Sequence, residues 1–330
     1  MNGIIQEPCD LKEAKRNFSR LGLGIFVMLV LSYATQLLLI VLLRAVWPQA
    51  LSYSFAATVL ATVPLYLVAI PVGLLIFRGA PARCPEKQSL GASTVIVMTI
   101  IGFSLMYVGN FVGVLANTVL QLLSGVSIEN PVVSYTEGTD LLTRAVFMVL
   151  LAPVIEEFVF RKQLIDRMNV YGERLSVVVS ALLFGLFHGN LSQFFYAFST
   201  GLVLGYAYLK SGRLRYGIGM HMLINFMGAV VAPLFSEKIA AVGNLENPDV
   251  EVLLPYLPWI LGCLVYVFAL LGLTVTGLIL LFVCYRRVSF ARAALELPQG
   301  SRIRTVLLNA GMLLASLGCV ALIVLSILPI

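Results

Sequence analysis

Long apolar runs broken by short polar stretches organise this chain from residue 21 onward. The runs are continuous rather than alternating, and all but the short fifth are long enough to cross a bilayer at a helical rise of about 1.5 Å per residue. Helices are therefore the expected spanning element, because a backbone in lipid must satisfy its own hydrogen bonds. The runs fall at 21–43, 55–77, 94–123, 141–168, 175–189, 192–209, 216–235, 258–284 and 306–328. The expected fold is all-α: a polytopic membrane helical bundle of about nine transmembrane helices, with eight as the alternative count.

Within the runs, Pro64 and Pro71 are expected to kink the second span and Pro153 the fourth. Three pairs of glycines at GxxxG spacing, Gly109/Gly113, Gly185/Gly189 and Gly201/Gly205, predict close helix–helix approach. The fifth run is short, ends in His188-Gly189-Asn190, and reads as stopping inside the protein. Asn110 and Asn117 read as interhelical hydrogen-bond partners, Arg144 as a residue snorkelling to the outer interface, and Trp47 and Trp259 as interface anchors.

Composition agrees with a membrane protein. The 330 residues are 60% hydrophobic and 12% charged, against about 25% charged residues in soluble domains. The formal net charge of +6 does not point to nucleic acid, because the basic residues sit in short loops between spans. Lys and Arg concentrate in 1–20, 78–93, 210–215 and 285–305. The intervening loops are poor in Lys and Arg: 44–54 has only Arg44, 124–140 carries Glu129, Glu137 and Asp140, and 236–257 carries Glu237, Glu246, Asp249 and Glu251 against Lys238. The acidic ones read as solvated faces. By the positive-inside rule the N-terminus is cytoplasmic and the C-terminus outside, in an integral protein of the cell membrane. Four regions follow: a cytoplasmic segment 1–20, N-terminal helices 21–139, a core 140–235 and C-terminal helices 236–330. The first run is too long for a signal-peptide core and reads as a retained span. The five cysteines show no CxxC pair or metal-ligand spacing.

The chemistry sits in the middle of the chain. Glu156 and Glu157 stand back to back inside an apolar run. One ionised side chain near a bilayer centre costs about 2.5–3.5 kcal/mol on insertion scales, so such a pair marks a site and calls for partners. Glu157 and Arg161 are spaced i, i+4, which suits an ion pair on one helix face. Glu156 lies about 100° further round and faces elsewhere. The two histidines, His188 and His221, both lie in apolar segments. Phe184 shares a face with His188, and Asn225 with His221, again at i, i+4. A carboxylate and two imidazoles converging on water can hydrolyse a bond, with Glu156 as general base, His188 helping to orient the water, and His221 and Asn225 donating to a developing oxyanion. Glu156, His188 and His221 are equally a common zinc set, so a bound zinc stays open. HExxH is absent.

These residues form three motifs on three spans. Glu156 to Arg161 (EEFVFR), Phe184 to His188 (FGLFH) and His221 to Asn225 (HMLIN) resemble, in order, the EExxxR, FxxxH and HxxxN motifs of the CPBP family. These are the CaaX-protease and bacteriocin-processing (Abi) intramembrane peptidases, which include type II CaaX prenyl endopeptidases. The resemblance covers roughly 140–235 and implies that Glu156 and His188 activate water, that His221 and Asn225 form the oxyanion site, and that Glu157, Arg161 and Phe184 support them. Both glutamate-based and metallo mechanisms are argued in the family. The implied partners are a membrane-associated peptide or protein and the bilayer itself. A substrate could be CaaX-type and lipidated, or a bacteriocin or leader peptide. Two other readings compete. A transporter with a buried Glu/His relay predicts paired halves, which the chain lacks. A non-catalytic scaffold or immunity protein predicts erosion of at least one motif position, and none is eroded.

Overall fold

The computed structural model describes residues 9–128, 130–243, 250–293 and 295–328. Glu129, Glu246 and Asp249 of the acidic loops lie outside the described residues. Among the described residues every regular element is helical. In chain order the helices are α1 (Leu11–Val46), α2 (Ala56–Phe77), α3 (Ala92–Ser124), α4 (Pro131–Glu137), α5 (141–168), α6 (Glu173–Phe187), α7 (Leu191–Ser211), α8 (Leu214–Gly243), α9 (Glu251–Arg287), α10 (Gln299–Val306) and α11 (Ala310–Leu325).

Each of the nine expected runs is helical, but the count of nine spans is not confirmed. By length and composition five of the described helices can cross a membrane: α1, α2, α3, α8 and α9. The α10–α11 pair, bent by 65°, raises the number to six if it acts as one span. The shortfall has physical causes. The α5 helix carries Glu156, Glu157, Arg161 and Lys162 close together. The α6 helix has 15 residues, about 22 Å at the helical rise, which is short of a hydrocarbon core of roughly 30 Å. The α7 helix is long enough but interleaved with Ser, Thr, Gly and Tyr.

Capping residues set where several helices begin. Asp10 accepts from the Lys12 backbone N–H at 2.8 Å, Asn190 from Gln193 at 2.9 Å and Asn309 from Met312 at 3.0 Å. These bonds satisfy amides that have no partner inside their helix. At the start of α5, Asp140 accepts from the Thr143 N–H at 2.9 Å and its hydroxyl at 2.6 Å. Those bonds hold the Asp140 carboxyl below its ordinary range.

The bundle packs around α7, which lies against α3 and α6, while α1 packs on α2 and α11, and α3 on α9. Glycines permit the close crossings. A Cβ on Gly109 would stand 2.6 Å from the Tyr196 Cα, and one on Gly113 would stand 3.0 Å from the Ser192 carbonyl. One on Gly201 would stand 3.1 Å from Ala181. Asn117 Nδ2 donates to Ser192 Oγ at 2.7 Å across the α3–α7 contact, as expected of it. Asn110 makes no such bond among the described residues. Gly311 N donates to Ser19 Oγ at 3.0 Å where α11 meets α1.

Four stretches widen into π turns: Pro64–Ala69 in α2, Arg144–Leu151 and Glu157–Ile165 in α5, and Met227–Val231 in α8. Such turns rotate the side chains that follow around the helix axis and recur at functional sites. Pro64 opens the first, and Pro153 stands between the second and third.

Three expectations are corrected. Arg144 does not snorkel: it is 5% exposed and paired at 3.2 Å with Glu237, which belongs to α8 rather than to a solvated loop. The pair joins α5 to α8. Gly185 and Gly189 do not share a helix face, because α6 ends at Phe187 and Gly189 takes φ +64° in the turn.

Gly109→Val forces a side chain onto the α7 backbone. It is expected to destabilise by about 1–3 kcal/mol or more, read as a lower thermal midpoint in detergent. Gly102→Ala is the control, since a Cβ there meets nothing closer than 3.8 Å, and it should leave the midpoint near that of the unmodified protein.

Candidate active site

The site is assembled from α5, α6 and α8. The α-helical segment Ala152–Glu156 gives way to the π segment Glu157–Ile165 between the two carboxylates. Their environments differ accordingly: the Glu157 side chain is 0% exposed and that of Glu156 is 27% exposed. Glu157 accepts from Arg161 Nε at 3.1 Å on one oxygen and faces His221 Nδ1 at 3.2 Å on the other. The spacing expectation for Glu157 and Arg161 thus meets its geometry.

Arg161 is fully buried and held from three sides. Its Nη1 donates to Ser180 Oγ at 3.4 Å, and Ser180 in turn donates to the Phe160 carbonyl at 2.6 Å. Its guanidinium lies 4.7 Å from the centroid of the Phe184 ring, where the π face attracts a cation. Two buried charges without each other would carry the full desolvation cost of several kcal/mol per ion.

Gly217 belongs to this cluster and was not singled out from the sequence. A Cβ on it would stand 2.7 Å from Glu157 Oε2. A bare backbone at this position lets α8 approach the carboxylate. The signal available was its i, i+4 relation to His221 in GIGMH.

His221 stands between the carboxylates, with Nε2 3.7 Å from Glu156 Oε2. His188 follows the last residue of α6, and its Nδ1 lies 2.7 Å from the Phe184 carbonyl. A carbonyl can only accept, so Nδ1 carries the proton and a neutral His188 keeps Nε2 as an acceptor. The Phe184 ring meets both imidazoles edge-on, at 4.8 Å from His188 and 5.8 Å from His221. Asn190 closes the turn by donating to the His188 carbonyl at 2.9 Å while capping α7.

Asn225 faces α5 as its shared face with His221 requires, but its Nδ2 donates to the Met148 carbonyl at 2.8 Å. One of its two amide hydrogens is therefore engaged in joining α8 to the Arg144–Leu151 segment.

Glu156 and His188 line one cavity of about 150 Å³. Val159, Phe160, Phe184 and Phe187 form one wall, and Met28 of α1 with Leu65, Tyr66 and Ile70 of α2 form the other. The α1 and α2 residues carried no signal in the sequence, where they look like any other apolar helix positions.

Zinc was left open for Glu156, His188 and His221. Among the described residues no group of three His, Cys, Asp or Glu side chains is gathered to hold a metal ion. The three do not fit a metal site as arranged, so no step is routed through one.

Fold and site together define a helical membrane protein with a buried carboxylate–imidazole centre. Residues 138–227 match the family model described as type II CAAX prenyl endopeptidase Rce1-like. A curated relative, "Membrane-embedded CAAX protease MroQ" of Staphylococcus aureus (strain USA300), is 24% identical over 209 residues, spanning 58% of this chain and 82% of that protein. No solved structure matches the chain. The resemblance to the CPBP, or CAAX-protease, family read from the three motifs is borne out by both matches. The matches support a CAAX-type intramembrane protease.

Arg161→Met should destabilise the fold by about 3–5 kcal/mol, because it strands a buried carboxylate. Adding Glu157→Gln to it should recover part of that loss. Thermal unfolding of the two variants side by side checks both, and equal midpoints would remove the ion pair from the account.

Proposed function

We propose that this chain is an intramembrane endopeptidase that uses Glu156 as its general base. Its substrates are membrane-associated peptides or proteins, either CaaX-type and lipidated or bacteriocin and leader peptides. The observation that carries this reading is that Glu156 and His188 line the same cavity. Behind them, the buried Glu157–Arg161 pair holds His221 by its Nδ1.

In the proposed reaction a water gives one hydrogen bond to Glu156 and the other to His188 Nε2. Glu156 takes the first proton as the water oxygen attacks the peptide carbonyl carbon. The carbonyl oxygen becomes an oxyanion, met by the second Asn225 N–H and by His221. Such donors act most strongly where water is excluded. Glu156 then returns its proton to the leaving nitrogen, the C–N bond breaks, and a carboxylic acid and an amine are released. Glu157 and Arg161 are positioning residues, because they touch the reacting groups only through His221 and Phe184. The Lys- and Arg-rich loops support a reading in which the protein lies in the cell membrane with its N-terminus cytoplasmic and its C-terminus outside.

Glu156→Gln keeps the shape of the side chain and removes the base. It is expected to lower kcat/KM by about 100-fold or more on a lipidated or leader peptide, with the thermal midpoint retained. Full activity in this variant overturns the mechanism. A folded parent protein that cleaves none of the candidate peptides would favour the scaffold or immunity reading.

A further inference from the structure

We infer that the cavity beside Glu156 is a specificity pocket for one bulky apolar side chain, carried by a substrate residue that flanks the scissile bond. This rests on the reading of Glu156 as the water-activating base.

The first argument is polarity. The cavity has a polar end and an apolar body. Glu156 and His188 stand at the polar end, with Tyr66 among the lining residues. Met28, Leu65, Ile70, Val159 and Phe187 supply the apolar body. The two ends are contiguous because Glu156, Val159 and Phe160 of α5 line the same cavity. A peptide whose carbonyl carbon reaches the water on Glu156 therefore has the apolar body within one side chain's reach.

The second argument is size. A cavity near 150 Å³ lined by aliphatic and aromatic side chains is of the size that accepts a benzene ring. It suits a Leu or Phe side chain. A long isoprenoid or acyl chain is larger and would lie elsewhere, against the exposed apolar helix faces. Pockets for drug-sized ligands run from about 300 Å³ upward, which again limits the occupant to a single side chain.

The third argument is where the outer wall comes from. Met28 and Ile70 are buried residues of α1 and α2, outside the segment 138–227 that matches the endopeptidase domain. Selectivity would thus be set by helices distinct from those that carry the chemistry. Met28 supplies an adaptable wall, and Ile70 stands one helical turn beyond Tyr66.

The test uses the full chain in phospholipid nanodiscs and a peptide series with the lipid group held constant. The residue on each side of the cleaved bond is varied in turn among Ala, Leu, Phe and Trp. The unmodified protein should prefer Leu or Phe over Ala at one of the two positions by at least tenfold in kcat/KM. Ile70→Trp fills the pocket and should reduce that ratio at least tenfold. Met28→Ala enlarges it and should raise the Trp-to-Leu ratio by a similar factor. Ratios are compared within each variant, so a general loss of folded protein cancels. Ratios unchanged in both variants overturn the pocket, as does a preference that follows lipid length instead of the flanking residue. Glu156→Gln run in parallel separates the two readings. If it is inactive while the ratios stay fixed, the pocket fails and the hydrolytic reading stands. If it is fully active, the hydrolytic reading fails and takes the pocket with it.

Discussion

A carboxylate and a guanidinium with no solvent exposure meet one helical turn apart, at Glu157 and Arg161, and the centre of the molecule is arranged around them. Neither charge is tolerable alone in an apolar interior. Their mutual attraction is supplemented by three neighbours: Ser180 meets the guanidinium, the Phe184 ring lies across it, and His221 takes the second carboxylate oxygen. Each of these partners comes from α6 or α8. Satisfying the pair therefore draws three helices to one point, and Gly217 makes room for the last of them.

The same arrangement separates two adjacent, chemically identical residues. Glu157 spends both oxygens inside the protein, whereas Glu156 opens onto a cavity shared with His188. The change from α to π winding between them, at the boundary of Ala152–Glu156 and Glu157–Ile165, is the local device that points the two side chains to different surroundings. The Gly189–Asn190 turn does comparable work for His188. It ends α6 directly after the imidazole, fixes the backbone through Asn190, and starts α7 at once, so that the histidine stands at the base of a helical hairpin.

Much of this was legible in the chain. Helical character followed from unbroken apolar runs, and the Glu157–Arg161 pair and the Phe184–His188 contact followed from i, i+4 spacing. Other features were not. Arg144 near a run's end looked like a snorkelling residue, yet α8 continues far enough to bring Glu237 to it and bury it. Gly185 and Gly189 had the spacing of a packing motif, yet the helix stops between them. Asn225 had the right residue type for an oxyanion donor, yet one of its amide hydrogens is engaged by Met148, which no spacing within α8 could reveal. Tyr66, Met28 and Ile70 gave no sign of facing a site, because an apolar residue facing lipid and one lining a cavity are the same letter.

By itself the sequence determined what acts within a single helix: which segments are helical, which side chains share a face, and which costly residues demand partners. Helical periodicity is a local property, and burial cost depends on residue type, so both can be read from neighbouring letters. Tertiary structure decided which helix answers each demand. It set His221 rather than water on Glu157, opened Glu156 to a cavity, and brought α1 and α2 to wall it. Those choices depend on where helices cross. Crossings are set by close packing at glycines and by the hydrogen-bond partners available across the interface, and these are relations between residues far apart in the chain.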